Sequence, residues 1–211
     1  PLLSVHGGGT VYGETLSDIL KEKFPEIKSV GDDPKIRPGI VHRLDKNTSG
    51  IMVVARNQGA FIALKSLFQK RLIEKTYLAI CCGKFEEAKG EISLPIGRLV
   101  KNPLKRGVAL GSRKIRGARE AITSFEVLRN KEKYSLVKLF PKTGRMHQLR
   151  VHMASIHHPV ACDRMYGGRN VCCPEGTGRQ LLHAKSIGFS FPEGKRWYFE
   201  ADPPPDFAVA L

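Results

Sequence analysis

The sequence predicts a single α+β domain, and three observations carry that expectation. Segments with strand patterning and segments with helical patterning occur together along the 211 residues. No stretch is rich enough in Pro, Gly or Ser to divide the chain, and no internal repeat recurs. With 41% hydrophobic and 26% charged residues, the chain has apolar material for a real core and no case for disorder.

Residues 15–24 read as a helix, with Leu16, Ile19 and Leu20 on one side and Pro25 closing it. The apolar run 51–55 reads as a short buried strand. Asn57 can cap a following helix whose Phe61, Leu64, Leu67 and Phe68 recur at the spacing of an apolar stripe. Residues 75–82 are β-prone. The alternation of Ala121, Thr123, Phe125 and Val127 marks another half-buried strand, as does the segment 134–140. A helix is expected over 145–156. Last comes a hairpin with arms 186–191 and 196–200, joined through the turn-forming residues Pro192, Glu193, Gly194 and Lys195.

Charge narrows the function. Thirty-five Lys and Arg against 20 Asp and Glu give a formal net charge of +15 and a pI near 9.8. Such an excess asks for a polyanion, and nucleic acid fits better than a membrane surface because no amphipathic basic helix stands out. The excess is concentrated at 98–119, where Arg98, Lys101, Lys105, Arg106, Arg113, Lys114, Arg116 and Arg119 meet no acid. Interleaved Gly and Pro make this a long loop or a strand pair with an excursion. The bland reading is a solvated basic surface. Such surfaces normally mix signs, however, so the segment reads as an arm that contacts phosphates without reading sequence.

Other classes recede. No apolar run exceeds six residues, where a membrane-spanning helix needs roughly 20. The first residues carry no secretory signal, and the absence of an initiator Met leads us to expect that the chain begins partway through a longer one. Five cysteines are an odd number, and none is spaced Cys-x-x-Cys. Reduced intracellular thiols are therefore expected, with neither a disulfide framework nor a zinc site. His147, His152, His157 and His158 lack metal-ligand spacing. Gly7-Gly8-Gly9 belongs to no phosphate-binding pattern, so no nucleotide cofactor is expected.

Two strings carry candidate chemistry. In Val41-His42-Arg43-Leu44-Asp45-Lys46-Asn47-Thr48-Ser49-Gly50, Asp45 sits on a loop at the edge of the core, a common seat for catalytic groups; the alternative is a turn or capping residue. In Lys142-Thr143-Gly144-Arg145-Met146-His147-Gln148-Leu149-Arg150-Val151-His152-Met153, a helix would line up Met146, Leu149, Met153 and Ile156, with Arg150 on the core-facing side. A buried arginine must be paired, and could hold a carboxylate ionised and oriented. It could equally tie two elements together or reach to water.

His42-Arg43-Leu44-Asp45 with Thr48-Ser49-Gly50, then Lys75-Thr76-Tyr77, then Thr143-Gly144-Arg145-x-His147-Gln148-Leu149-Arg150-Val151-His152, and Leu182-His183-Ala184 resemble the RluA-type pseudouridine synthases in order and spacing, from about Leu3 to the C-terminus. The resemblance implies a mixed, mostly antiparallel twisted central sheet flanked by helices and loops. It also implies isomerisation of uridine to pseudouridine in structured RNA, large-subunit ribosomal RNA first and transfer RNA second. Asp45 would attack ribose carbon 1 or remove a proton from ribose carbon 2, with Arg150 as its ion-pair partner. Tyr77 would stack on the uracil near the proton lost from ring carbon 5, and Arg43 would fill the space left by the flipped nucleotide. His42, Arg145 and His147 would join the basic arm in facing RNA, and His147 and His152 would hold hydrogen bonds around Arg150.

The resemblance implies no metal or organic cofactor, and the protein is expected to be a cytoplasmic monomer. Relatives usually begin the domain with a strand ending in an Asn-Lys-Pro-like turn and carry an accessory RNA-binding domain upstream. Both are expected to be missing from residues 1–211. A non-catalytic RNA-binding or ribosome-associated protein would need the basic surface without the acid, and Asp45 with Arg150 speaks against it. A nuclease or glycosidase would want metal ligands or a second acid.

Overall fold

Side-chain caps fix the first two helices. In α1 (Leu16–Lys23) the Thr15 hydroxyl accepts the Asp18 amide while the Asp18 carboxylate accepts the Thr15 amide, a reciprocal capping box. In α2 (Gln58–Gln69) the Asn57 side chain accepts the Ala60 amide at 2.8 Å. Both starts agree with the sequence. The computed structural model describes residues 14–111, 114–169, 171–191 and 194–210. Arg113, the hairpin residues Pro192 and Glu193, and the expected truncated opening of the domain lie outside the described residues.

A seven-stranded sheet organises the rest, built from β1 (Ser49–Gly50), β2 (Glu74–Cys82), β3 (Lys89–Ser93), β7 (Ile122–Asn130), β8 (Tyr134–Pro141), β9 (Leu182–Ser190) and β10 (Arg196–Glu200). Its order is β1-β9-β2-β8-β7-β3, with β10 also on β9, and only β1 runs parallel to its neighbour. The sheet is therefore mixed and mostly antiparallel. The basic segment makes a second, three-stranded sheet from β4 (Ile96–Leu99), β5 (Arg106–Val108) and β6 (Ile115–Arg119), with β4 in the middle.

Strand alternation divides the core. Ala79, Cys81, Val137 and Leu139 pack with Leu149 and Met153 of α3 (Gln148–Ser155). Ile187 and Phe189 of β9 pack with Phe61, Leu64 and Leu67 of α2. The predicted stripe of α2 is thus the buried one. The small sheet rests on α3 through Ile96, Val108 and Val151.

Three expectations need correction. Residues 51–55 are not a strand. The ladder stops at Gly50, because the Val53 amide donates to His42 Nε2 at 3.0 Å instead of to a neighbouring strand. The last helix begins at Gln148 rather than 145 and leaves Met146 exposed, because His147 has φ 57° and the Gln148 carboxamide accepts the Arg145 amide in the turn before it. The cysteines are not all reduced. Cys82 is bonded to Cys172 and Cys162 to Cys173, leaving Cys81 as a buried thiol. These partners lie 90 and 11 residues apart, a pairing set by the fold and invisible in local spacing. Burial pushes the Cys81 thiol up, so it is an inert core group.

Candidate active site

The Asp45 loop is fastened from three sides. Thr48 donates its amide to the Asp45 carbonyl at 3.0 Å, closing a tight turn, and Asn47 takes φ 69° there. Gln180 Nε2 donates to the Lys46 carbonyl at 2.7 Å, and Arg179 Nη1 donates to the Asn47 carbonyl at 3.2 Å. Behind the loop, β1 lies parallel to β9 with Ser49 opposite His183 and Gly50 opposite Ala184. A Cβ on Gly50 would collide with the Ala184 backbone, and φ is 117°, so glycine is required.

His183 explains its place in the Leu-His-Ala string. Its Nε2 reaches the Ala201 carbonyl, which can only accept, so Nε2 carries the proton and Nδ1 accepts the Ser49 hydroxyl at 2.9 Å. Burial keeps this imidazole neutral by lowering its pKa. His42 is held the same way. Its Nε2 accepts the Val53 amide and its ring stacks on Phe68 at 4.7 Å, while burial, aided by the Lys75 charge, lowers its pKa to about 4. Neutral histidines here are braces for the loop.

Asp45 opens onto a cleft of 570 Å³ between the loop, α2, β2 and the turn before α3. Tyr77 lines it from β2, where the pairing with β9 shifts register between Thr76 and Tyr77. Burial first, then the Asp45 charge, raises the Tyr77 phenol, so it stays protonated at neutral pH. The cleft's cationic lining is Arg37, Arg43, Arg71, Lys75, Lys142 and Arg145, and Asp45 is its one acid. A polyanion is drawn into such a cleft, and a lone carboxylate inside it is conspicuous.

Arg150 meets Asp45. Its Nη1 donates to Asp45 Oδ2 at 3.3 Å, and the side chains are 7% and 22% exposed. The sequence did not disclose a second partner. Arg150 Nε and Nη2 donate to Asp163 at 2.6 and 2.9 Å, and Asp163 is 1% exposed. Burial works against the guanidinium charge, but the hydrogen bonds and charge of Asp163, joined by Asp45, outweigh it and raise the Arg150 pKa. Tyr166 lies under the guanidinium at 5.1 Å and its hydroxyl bonds His147 Nδ1 at 2.7 Å. His152 is turned away, bonding Thr123 and the Leu94 carbonyl.

The predicted RNA-facing residues fall into two groups. His42, Arg43, Arg145 and His147 line the cleft with Asp45 and Tyr77. Arg98, Lys101, Lys114 and Arg116 are exposed on or beside the small sheet and are not part of the cleft. Lys105 and Arg106 bridge the two: Lys105 Nζ donates to the Met165 carbonyl, the Arg106 amide to the Tyr166 hydroxyl, and Arg106 Nη2 to the Met146 sulfur. Among the described residues no group of three or more His, Cys, Asp or Glu could hold a metal ion, and no helix is long and apolar enough to cross a membrane.

Missed by sequence reasoning were Asp163, Tyr166, Arg179 and Gln180. Arg179 and Gln180 stand just before Leu182-His183-Ala184, and that adjacency was the available signal. Asp163 and Tyr166 carry no periodic or charge pattern of their own.

A basic cleft holding one carboxylate among the described residues, paired to a buried arginine beside a strand tyrosine, is suited to a polyanionic ligand. The chain belongs to the RNA pseudouridylate synthase family, whose family model matches residues 3–155. It is 36% identical over 198 residues to an uncharacterised RNA pseudouridine synthase of Chloroflexus aurantiacus, covering 93% of this chain and 59% of that protein. It is 37% identical over 218 residues to ribosomal large subunit pseudouridine synthase D of Vibrio parahaemolyticus, covering 97% of this chain and 62% of that one. The chain thus spans about three fifths of the length of these relatives. Human RNA pseudouridylate synthase domain containing 1 shares the fold with a TM-score of 0.76 and 28% identity, over 96% of this chain and 84% of that one.

Proposed function

We propose that this chain isomerises uridine to pseudouridine in structured RNA, and that its target is large-subunit ribosomal RNA. The observation that carries the reading is Asp45, the single acid of a cationic cleft, held at 3.3 Å from Arg150.

A glycosidic bond in a stem is hidden, so the uridine must be extruded, at a cost of a few kcal/mol. Stacking of the free uracil on Tyr77 returns about 1–3 kcal/mol, and phosphate contacts supply the rest. Asp45 then works on the ribose, attacking carbon 1 or taking the proton of carbon 2. Either route breaks the bond from carbon 1 to the ring nitrogen and leaves the uracil in the cleft. The uracil turns and ring carbon 5 bonds to ribose carbon 1 as the Asp45 ester breaks, or as Asp45 returns the proton to carbon 2. The hydrogen of carbon 5 leaves to water, and the freed ring nitrogen takes up a proton from water. Because its phenol stays protonated, Tyr77 serves through its ring rather than as a phenolate base. Arg43, at the cleft mouth, takes the place of the flipped base.

The arm grips the flanking backbone. Arg98 stands opposite Arg106 on one side and Arg116 on the other, a row of like charges that is unfavourable until phosphates lie across it. Ribosomal RNA as target is supported by relatives from Vibrio parahaemolyticus and Borreliella burgdorferi that are named for the ribosomal large subunit.

Pseudouridine maps of ribosomal and transfer RNA from cells with and without the gene test this. Loss of one or more large-subunit sites is expected. Loss confined to transfer RNA would overturn the target, and an unchanged map would overturn the isomerase reading.

A further inference from the structure

A guanidinium offers a side-on fork, Nε with Nη2, and a remaining terminal nitrogen. In Arg150 the fork goes entirely to Asp163, at 2.6 and 2.9 Å, and Asp45 receives only Nη1, at 3.3 Å. The stronger, geometrically defined pair is thus with the deeper acid. Among the described residues Asp45 accepts no other side-chain hydrogen bond.

Asp163 is itself immobilised. Its Oδ1 also accepts the Met165 and Tyr166 amides at 3.0 and 3.3 Å, and its amide donates to the Val160 carbonyl at 3.1 Å. The loop is braced covalently on both flanks. Cys162, the residue before Asp163, is bonded to Cys173, and Cys172 is bonded to Cys82 at the end of β2. The Tyr166 ring closes the assembly over the guanidinium.

The geometry assigns Asp163 the role of a positioning residue: it holds Arg150 by the fork so that Asp45 meets one N–H and keeps its second carboxylate oxygen for the ribose. This rests on the isomerase reading above. Without the Asp163 charge, the fork is free to close on Asp45, engaging both of its oxygens and drawing it away from the sugar. A displacement of about 1 Å at a reacting group can lower a rate 100-fold.

The test uses Asp163→Asn, which retains an acceptor for the Met165 and Tyr166 amides but loses the charge. With RNA labelled by tritium at uracil carbon 5, kcat for tritium release is expected to fall about 100-fold, with KM and the RNA Kd unchanged. A rate within threefold of wild type overturns the assignment. So does a rise in KM and Kd that matches the fall in kcat, since that marks a general loosening of the loop.

A second readout needs no activity. The Arg150 Nε–H resonance, identified by its loss in Arg150→Lys, is expected to be protected from exchange in wild type and in Asp45→Asn but not in Asp163→Asn. Protection that depends on Asp45 instead contradicts the assignment, and the Asp45→Asn arm decides this even if Asp163→Asn fails to fold. A wild-type protein without tritium release would refute the isomerase reading alone, because the resonance would still report which acid holds Arg150.

Discussion

Replacing Arg150 by Met should separate stability from chemistry. The substitution keeps a long apolar stem between Leu149 and Val151 but leaves Asp163, 1% exposed, without its counter-charge. Removing one partner of a buried ion pair typically costs about 3–5 kcal/mol. For a chain of this size each kcal/mol moves Tm by about 2–4 °C, so Arg150→Met is expected to lower Tm by roughly 6–20 °C. Asp45→Asn removes only the 3.3 Å contact of a side chain that is 22% exposed. Partly exposed pairs are worth about 0–1 kcal/mol, so its Tm should stay within about 4 °C of wild type. Urea unfolding with the disulfides intact gives the same comparison in free energy. If Asp45→Asn destabilises as much as Arg150→Met, the division into a structural acid and a reactive one is wrong.

Other outcomes follow from the same contacts. Acid should destabilise the fold: His42 is neutral in the folded state down to about pH 4, whereas the unfolded side chain takes up its proton near pH 6.5. Stability is then fully present above pH 6.5 and is lost as pH falls toward 4, by on the order of 1–3 kcal/mol; a Tm that stays flat from pH 7 to pH 5 would contradict this. RNA binding should weaken steeply with salt. Substituting Arg98, Lys114 and Arg116 with Ala should flatten the slope of log K against log salt by about 0.7–0.9 for each phosphate no longer neutralised, and an unchanged slope would remove the arm from the RNA. Reduction should loosen the Asp163 loop. The cross-links close stretches of 90 and 11 residues, worth roughly 3–5 kcal/mol each in the chain-entropy picture; a Tm identical with and without dithiothreitol would show that these bonds do not form.

The sequence was most legible where short-range chemistry decides. The position of α1, the capped start of α2, the stripe Phe61-Leu64-Leu67, the strands around Ala79, Phe125 and Val137, and the arms of the final hairpin all rest on periodicity and turn chemistry within a few residues. Residues 51–55 misled because an apolar run of five looks alike whether its amides join a ladder or, as with Val53, a histidine ring. Asp45, Tyr77 and Arg150, the residues of the proposed site, were singled out because they sit in strings that resemble a family. Their true supports could not. Asp163, Tyr166, Gln180 and both disulfides act across separations that only the folded sheet closes, and a lone Asp between Cys162 and Arg164 has no local signature of burial. The eight cations of 98–119 led to the expectation of a phosphate-contacting arm, but not that Lys105 and Arg106 would tie that segment to Met146, Met165 and Tyr166.

Tritium release from RNA labelled at uracil carbon 5, measured in single turnover for wild type and Asp45→Asn at matched folded fractions, tests the core of this account. Wild type should release tritium, and the folded Asp45→Asn protein should bind the same RNA and release none. Release by Asp45→Asn at the wild-type rate would mean that the reacting acid lies elsewhere.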